Sequence, residues 1–197
     1  MKRSLFALLF CLLNATAYTQ GKIYTDSLEK FRAEYIATHE VVKGNDKTLF
    51  RFFPINKKFL VEADFEKITD TIGFIMKTSG KRQTRYFKYG LLSFTIDNKK
   101  LGLTVYQSEQ LLQTTAYKNY LFVPFTDLTS GEKSYGGGRY IDLQTGDIRG
   151  NRLLLDFNKA YNPYCAYAAG FNCPIPPREN DLPVSIEAGE MEFDVKH

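Results

Sequence analysis

The 197-residue sequence contains no tryptophan, only two histidines and three cysteines, and these shortages remove most of the common catalytic constellations before any motif is read. A Ser-His-Asp or Cys-His arrangement needs an imidazole, and the two on offer are His39, in a stretch that reads as helix, and the C-terminal His197. The same scarcity leaves no ligand set with zinc spacing, so neither a metal nor another cofactor is expected. Long hydrophobic runs are missing too. The longest, Leu5 to Leu13, falls far short of the roughly twenty residues a membrane-spanning helix requires, so no transmembrane anchor is expected. Basic runs never exceed two residues, as at Lys57-Lys58 and Lys99-Lys100, and a formal charge of +4 is too small to point to nucleic acid as a partner.

What is present begins at the N-terminus. Met1-Lys2-Arg3, the apolar run and Ala15-Thr16-Ala17 follow one another in the order of a cleavable signal peptide over residues 1–17, with the small-x-small form at its end. Phe10, bulky and directly before Cys11, argues against lipidation of that cysteine. Removal of the segment takes away Lys2 and Arg3 and no acid, so the charge falls to +2. The expectation is an exported protein, periplasmic or extracellular.

The remainder reads as a helical segment over residues 18–44 and a single β-rich domain over 45–197. Asp26 and Glu29 have the spacing of a capping box, with Leu28, Phe31, Tyr35 and Ile36 on one face, and the helix should end near His39 or Glu40. Beyond Asn45 the apolar period changes to two. Phe59, Val61, Ala63 and Phe65 alternate with polar neighbours, and further strands are expected around Phe74, Thr84–Tyr89, Leu92–Ile96, Leu101–Val105, Tyr120–Phe125 and Val184–Ala188. Tyr140–Leu143 and Arg152–Phe157, on either side of Thr145-Gly146-Asp147, read as a hairpin, and Ser108–Lys118 as a short helix. With no βαβ alternation, the predicted class is mainly β: an antiparallel sandwich or barrel with one N-terminal helix and a long proline-rich C-terminal loop between Asn158 and Leu182. Tyr161, Tyr164, Tyr167 and Phe171 give that loop apolar surface to bury, so it is expected to pack on the sheet.

Four motifs crowd the last third of the chain: Tyr135-Gly136-Gly137-Gly138-Arg139-Tyr140, the run from Asp156 to Tyr167, the run from Cys173 to Asn180, and Ala188-Gly189-Glu190. Together they resemble the bacterial family called domain of unknown function 1684. The match is specific over the last third and diffuse over Phe53 to Phe125. The resemblance carries no activity with it.

The chemistry of the motif residues can be read directly. Tyr135, Gly137, Arg139, Asp156, Asn158, Asn162, Glu179, Asn180 and Glu190 are the candidate ligand-binding or structural residues. The glycines suit a bulge entering a strand or a nest of amides beside Arg139 that holds an anion. Asp156 and Asn158 would share a strand face, with Arg139 or Arg178 as partners. Cys165 and Cys173 read as a disulfide in an oxidising compartment. Asp127, Asp142, Asp156, Glu179 and Glu190 are the carboxylates from which an acid and a base would have to be drawn, and their spacing selects no pair. Two functions follow: a noncatalytic exported module that binds a small molecule or an envelope component, or a hydrolase-like enzyme that uses carboxylates, or Cys165, beneath the proline-rich loop. The protein recovered from its native host should begin within a few residues of Ala17, and its intact mass reports this; a product that keeps Met1 to Leu13 would refute the leader.

Overall fold

The computed structural model describes residues 21–194, so the expected signal peptide and His197 lie outside the described residues. The chain divides after His39 into two units. In the first, residues 21–38 form helix α1, with Thr25 and Thr38 returning their hydroxyls to the carbonyls of Gly21 and Glu34. Asp26 therefore lies inside the helix rather than at its cap. No helix among the described residues is long and apolar enough to cross a membrane.

The second unit is built on seven antiparallel strands: β1 (Leu60–Lys67), β2 (Phe74–Met76), β3 (Thr84–Ile96), β4 (Lys99–Ser108), β5 (Tyr120–Phe125), β6 (Arg139–Gln144) and β7 (Arg152–Asp156). They form one sheet in the order β6-β5-β4-β3-β1-β7, with β2 paired to the first residues of β3, so the mainly β, antiparallel expectation holds and the architecture is a half-barrel. The longest pairing, β3 with β4, turns through Asp97 and Asn98, both at positive φ as a two-residue hairpin requires. A register shift between Lys88 and Gly90 bends β3. Gly90 is needed there, because a Cβ would fall 2.2 Å from the Phe65 ring.

Alternation along the strands gives the sheet two different faces. On the core face Val61, Ala63, Phe65, Leu92, Phe94, Leu103, Val105, Leu121, Val123, Ile141, Leu153 and Leu155 form one cluster, closed by Leu182, Val184, Ile186 and Ala188. The other face is rich in tyrosine: Tyr86, Tyr106, Phe122 and Tyr140 are buried with Met76, and Phe74, Tyr120 and Tyr161 pack against them.

Two expectations are corrected and one is narrowed. Tyr140–Leu143 and Arg152–Phe157 do not form a hairpin, because β6 pairs with β5 while β7 pairs with β1 at the far edge of the sheet. Thr145–Asp147 is a 3-10 turn from which the chain leaves for that edge, stabilised by a reciprocal cap between Gln144 and Asp147. Between Ser108 and Lys118 the helix α2 is a single turn, Glu109–Leu112, followed by a 3-10 turn at Thr115–Tyr117. Val184–Ala188 is not a strand. Its period-two pattern reported burial correctly, since Val184, Ile186 and Ala188 face the core, but side chains rather than a neighbouring strand take most of its backbone hydrogen bonds.

The covering segment enters where the sheet is weakest. Between β4 and β5 the only register pair is Tyr106 with Phe122, and Pro124 has no amide hydrogen to continue the ladder. The Asn180 side chain fills the gap. Its Oδ1 accepts from Thr104 N at 2.7 Å, and its Nδ2 donates to the carbonyls of Thr104 at 2.9 Å and Pro124 at 2.7 Å, so the amide acts as an extra peptide unit between the strands. Thr126 then donates to Asn180 O, and Leu182 to Thr126 O, which starts the segment across the core. Asn180→Asp keeps the shape but turns an oxygen toward two carbonyls in a buried site. It should lower the unfolding free energy by about 3–5 kcal/mol in urea titration; a loss within about 0.5 kcal/mol would show that the plug is dispensable.

Candidate functional site

The four motifs meet in space, and Arg139 is the centre of one junction. Gly138, at φ +86, turns the chain into β6 beneath Pro176, whose ring would lie 2.6 Å from any Cβ at that position. Gly137 is likewise held against the Tyr135 ring, 2.4 Å from where its Cβ would stand. The glycine run is therefore a tight turn entering a strand. Arg139 follows, fully buried, between the rings of Phe53 and Phe125. Its guanidinium donates from Nη2 to Ile186 O at 2.8 Å and Asp127 Oδ1 at 3.2 Å, and from Nη1 to Ala188 O and to Glu190 O at 3.2 Å. Burial pulls its pKa below the ordinary guanidinium value, against the Asp127 charge and hydrogen bond and the Glu190 charge. The ion pair of Arg139 is thus with Asp127, and not with Asp156 as the sequence suggested.

Asp127 completes the clamp. Its Oδ2 accepts from Ile186 N at 2.6 Å and from the Thr129 hydroxyl at 3.0 Å, and its Oδ1 also receives the Ser130 hydroxyl. Glu190, fully buried, accepts from Asn162 N at 2.9 Å and from the Tyr167 hydroxyl at 2.7 Å. Asn162 Nδ2 donates to Met191 O, which joins two motifs to the end of the covering segment. Asp156 caps the 3-10 turn Phe157–Lys159 by accepting from Asn158 N and Nδ2, each at 3.0 Å. The Asn158 amide in turn pairs with both backbone groups of Asn56, at 2.9 Å each. Asn158 and Asn180 therefore play one role at two places.

The segment from Asn158 to Leu182 crosses the tyrosine face. Tyr161 exchanges both backbone bonds with Tyr140, Pro174 receives the Tyr140 hydroxyl, and Ile175 N donates to Lys77 O at 2.8 Å. Cys165 and Cys173 are joined as a disulfide, with Cα atoms 6.2 Å apart. Ser79 ties that loop to the turn after β2, by its hydroxyl to Cys173 N and by its amide to Cys173 O.

Glu179 stands apart from the buried junctions. Half-exposed, it accepts from Lys88 Nζ at 2.7 Å and from the Tyr106 hydroxyl at 3.0 Å. Burial pushes its pKa up, but the Lys88 and Tyr106 hydrogen bonds and the Lys88 charge outweigh that and hold it below the ordinary value. Burial and the neighbouring Glu179 charge raise the Tyr106 phenol. Lys88 and Glu179 line an open cavity of about 530 Å³ together with Ile68, Thr69, Asp70, Gly73 and Phe74. Asp70 shapes its wall by accepting from the amides of Ile72, Gly73 and Lys88 at 3.1, 2.9 and 3.0 Å, bonds that lower its pKa. Lys88, Phe74 and Tyr106 had no signature in the sequence, since each is one residue in an alternating strand. Asp70 had one, the Asp-x-x-Gly spacing of a side-chain-capped turn. A second cavity, of about 500 Å³, has Tyr135, Arg51 and Phe193 on its walls. Among the described residues no three His, Cys, Asp or Glu side chains converge to hold a metal.

The Arg139 clamp has a direct stability consequence. Arg139→Ala strands the Asp127 charge and the carbonyls of Ala188 and Glu190 in the core, so urea unfolding should show a loss of about 3–5 kcal/mol. Arg139→Lys should recover only part of it, because one ammonium cannot span the carbonyls of Ile186, Ala188 and Glu190. A melting curve unchanged in both variants would contradict the clamp.

Comparison with known proteins places the geometry in a family. No curated protein matches the chain. A solved relative is an uncharacterised protein of Haloarcula marismortui, determined by solution NMR, which is 30% identical over 91% of this chain and 99% of its own, with a TM-score of 0.67. A model described as a protein of unknown function, DUF1684, matches residues 48–191, a range that holds all seven strands and every motif residue from Tyr135 to Glu190, and the chain belongs to that family.

Proposed function

We propose that the protein is a noncatalytic, exported binding module that takes a small polar ligand at the cavity between Asp70, Phe74, Lys88 and Glu179. The observation that carries this reading is the Lys88–Glu179 pair, half-exposed at an opening of about 530 Å³ and steadied from beneath by the Tyr106 hydroxyl. A cavity of this size matches a small-molecule site, and an ammonium beside a carboxylate and an aromatic ring suits a hydroxylated ligand that carries an acid group. Lys88 would pair with that acid, Glu179 would accept from hydroxyls, and Phe74 would cover an apolar ring face.

The noncatalytic side is supported by the engagement of three of the alternatives. Cys165 is in a disulfide, and Asp127 and Glu190 are hydrogen-bonded within the core. Export is supported by the order of charge, apolar run and small residues at the N-terminus and by the same disulfide.

A thermal-shift screen of sugars and sugar acids, followed by calorimetry on the best compound, tests the site. Lys88→Gln should abolish the shift while leaving the unliganded melting temperature nearly unchanged, since an exposed pair contributes about 0–1 kcal/mol. Equal binding by Lys88→Gln and the native protein would place the ligand elsewhere.

A further inference from the structure

At the far side of the tyrosine face stands a second carboxylate that the Lys88–Glu179 cavity does not use. Asp142 lies in β6, in register with Phe122 of β5, and is exposed to solvent. Its Oδ1 accepts two phenol hydrogens, from Tyr120 and from Tyr161, each at 2.6 Å. Among the described residues nothing donates to Oδ2, and no basic side chain pairs with the carboxylate.

That arrangement differs from those of Asp127, Glu179 and Asp70. Asp127 has Arg139, Glu179 has Lys88, and Asp70 has three backbone amides. Asp142 has only two neutral hydroxyls. Desolvation by the surrounding side chains raises its pKa in spite of those two hydrogen bonds.

The groups around it are electron-rich rings. Tyr120 and Tyr161 converge on one oxygen and so flank the carboxylate. Tyr117, about half exposed, stands edge-on to Tyr120 at 6.1 Å, and Tyr140 stands edge-on to Tyr161 at 5.8 Å. A carboxylate oxygen left open beside aromatic rings is the chemistry that recognises an organic ammonium: the charge meets the carboxylate, and the polarised methyl or methylene groups meet the rings. Because two hydroxyls already fix the carboxylate, little ordering remains for a ligand to impose.

We propose that Asp142, Tyr120, Tyr161 and Tyr117 form a binding site for a small organic ammonium ion, with methylated ammonium preferred over bare ammonium. The site is separate from the Lys88–Glu179 cavity and does not rest on the function proposed for it.

Titration of the folded protein with tetramethylammonium chloride, followed by NMR of the tyrosine rings, tests the proposal, with tert-butanol as the neutral analogue of similar shape and ammonium chloride as the bare ion. Saturable shifts are expected with tetramethylammonium, weaker ones with ammonium and none with tert-butanol. Asp142→Asn, which keeps an acceptor for both hydroxyls, should weaken tetramethylammonium binding by about tenfold or more. Tyr117→Leu, at a half-exposed ring, should weaken it by roughly threefold without altering the fold. Absence of saturation, equal response to tert-butanol, or native affinity in Asp142→Asn would overturn the proposal. Should Asp142→Asn fail to fold, native affinity in Tyr117→Leu would overturn it equally.

Discussion

One buried cation sets the position of the segment that closes the core. Taking Arg139 and Asp127 out of water costs several kcal/mol per ion, and their mutual attraction alone does not reliably offset it. The remaining compensation comes from the backbone: Ile186, Ala188 and Glu190 bring carbonyls to the guanidinium, and Ile186 brings its amide to Asp127. These groups belong to a segment without a partner strand, and without the pair the carbonyls of Ala188 and Glu190 and the amide of Ile186 would be unsatisfied in the core, while the Ile186 carbonyl would keep only the Ala188 amide. The ions and the segment are therefore mutually dependent. This explains why arginine stands at the entry to β6, since a planar fork can reach the carbonyls of Ile186, Ala188 and Glu190 at once.

The sequence was most legible where burial follows a simple period. Phe59 to Phe65, Leu101 to Val105 and Val184 to Ala188 were all read as alternating, and all of them do alternate into one core. What alternation cannot report is the donor that satisfies the backbone, so Val184–Ala188 was read as a strand although its partners are Asp127 and Arg139. The Thr145-Gly146-Asp147 turn was legible as a turn, but a turn does not specify which edge of a sheet the next strand joins. The partner of Arg139 was hidden for the same reason. Asp127 sits twelve positions upstream, and the pairing exists only once β5 and β6 are side by side. Glu179 was found through its motif, whereas Lys88, Tyr106 and Phe74, which surround it, carry no local signal in a chain rich in lysine and aromatics.

The division of labour between the two faces follows from composition. The core face uses Leu, Ile, Val and Phe, which have no polar atoms to satisfy, and it makes the domain stable. The other face uses tyrosines, whose hydroxyls must find acceptors when buried. Tyr106 finds Glu179, Tyr140 finds Pro174 O, and Tyr120 and Tyr161 find Asp142. The acids on this face are thus first of all acceptors for a tyrosine sheet. That requirement also leaves two carboxylates near the surface, in settings that differ by one lysine.

The order of the chain gives the covering segment a consequence in time. All seven strands end by Asp156, while Leu182 to Ala188, which close the core face, and Asn180, which mends the gap at Pro124, follow only later in the chain. A nascent chain therefore displays a nearly complete sheet with an uncovered greasy surface until residues 180–190 emerge. Such a surface is a docking place for chaperones and a hazard for aggregation. Maturation of this domain is thereby tied to the arrival of that segment, and a chain cut before Asn180 would lose its lid and the backbone partners of its clamp together.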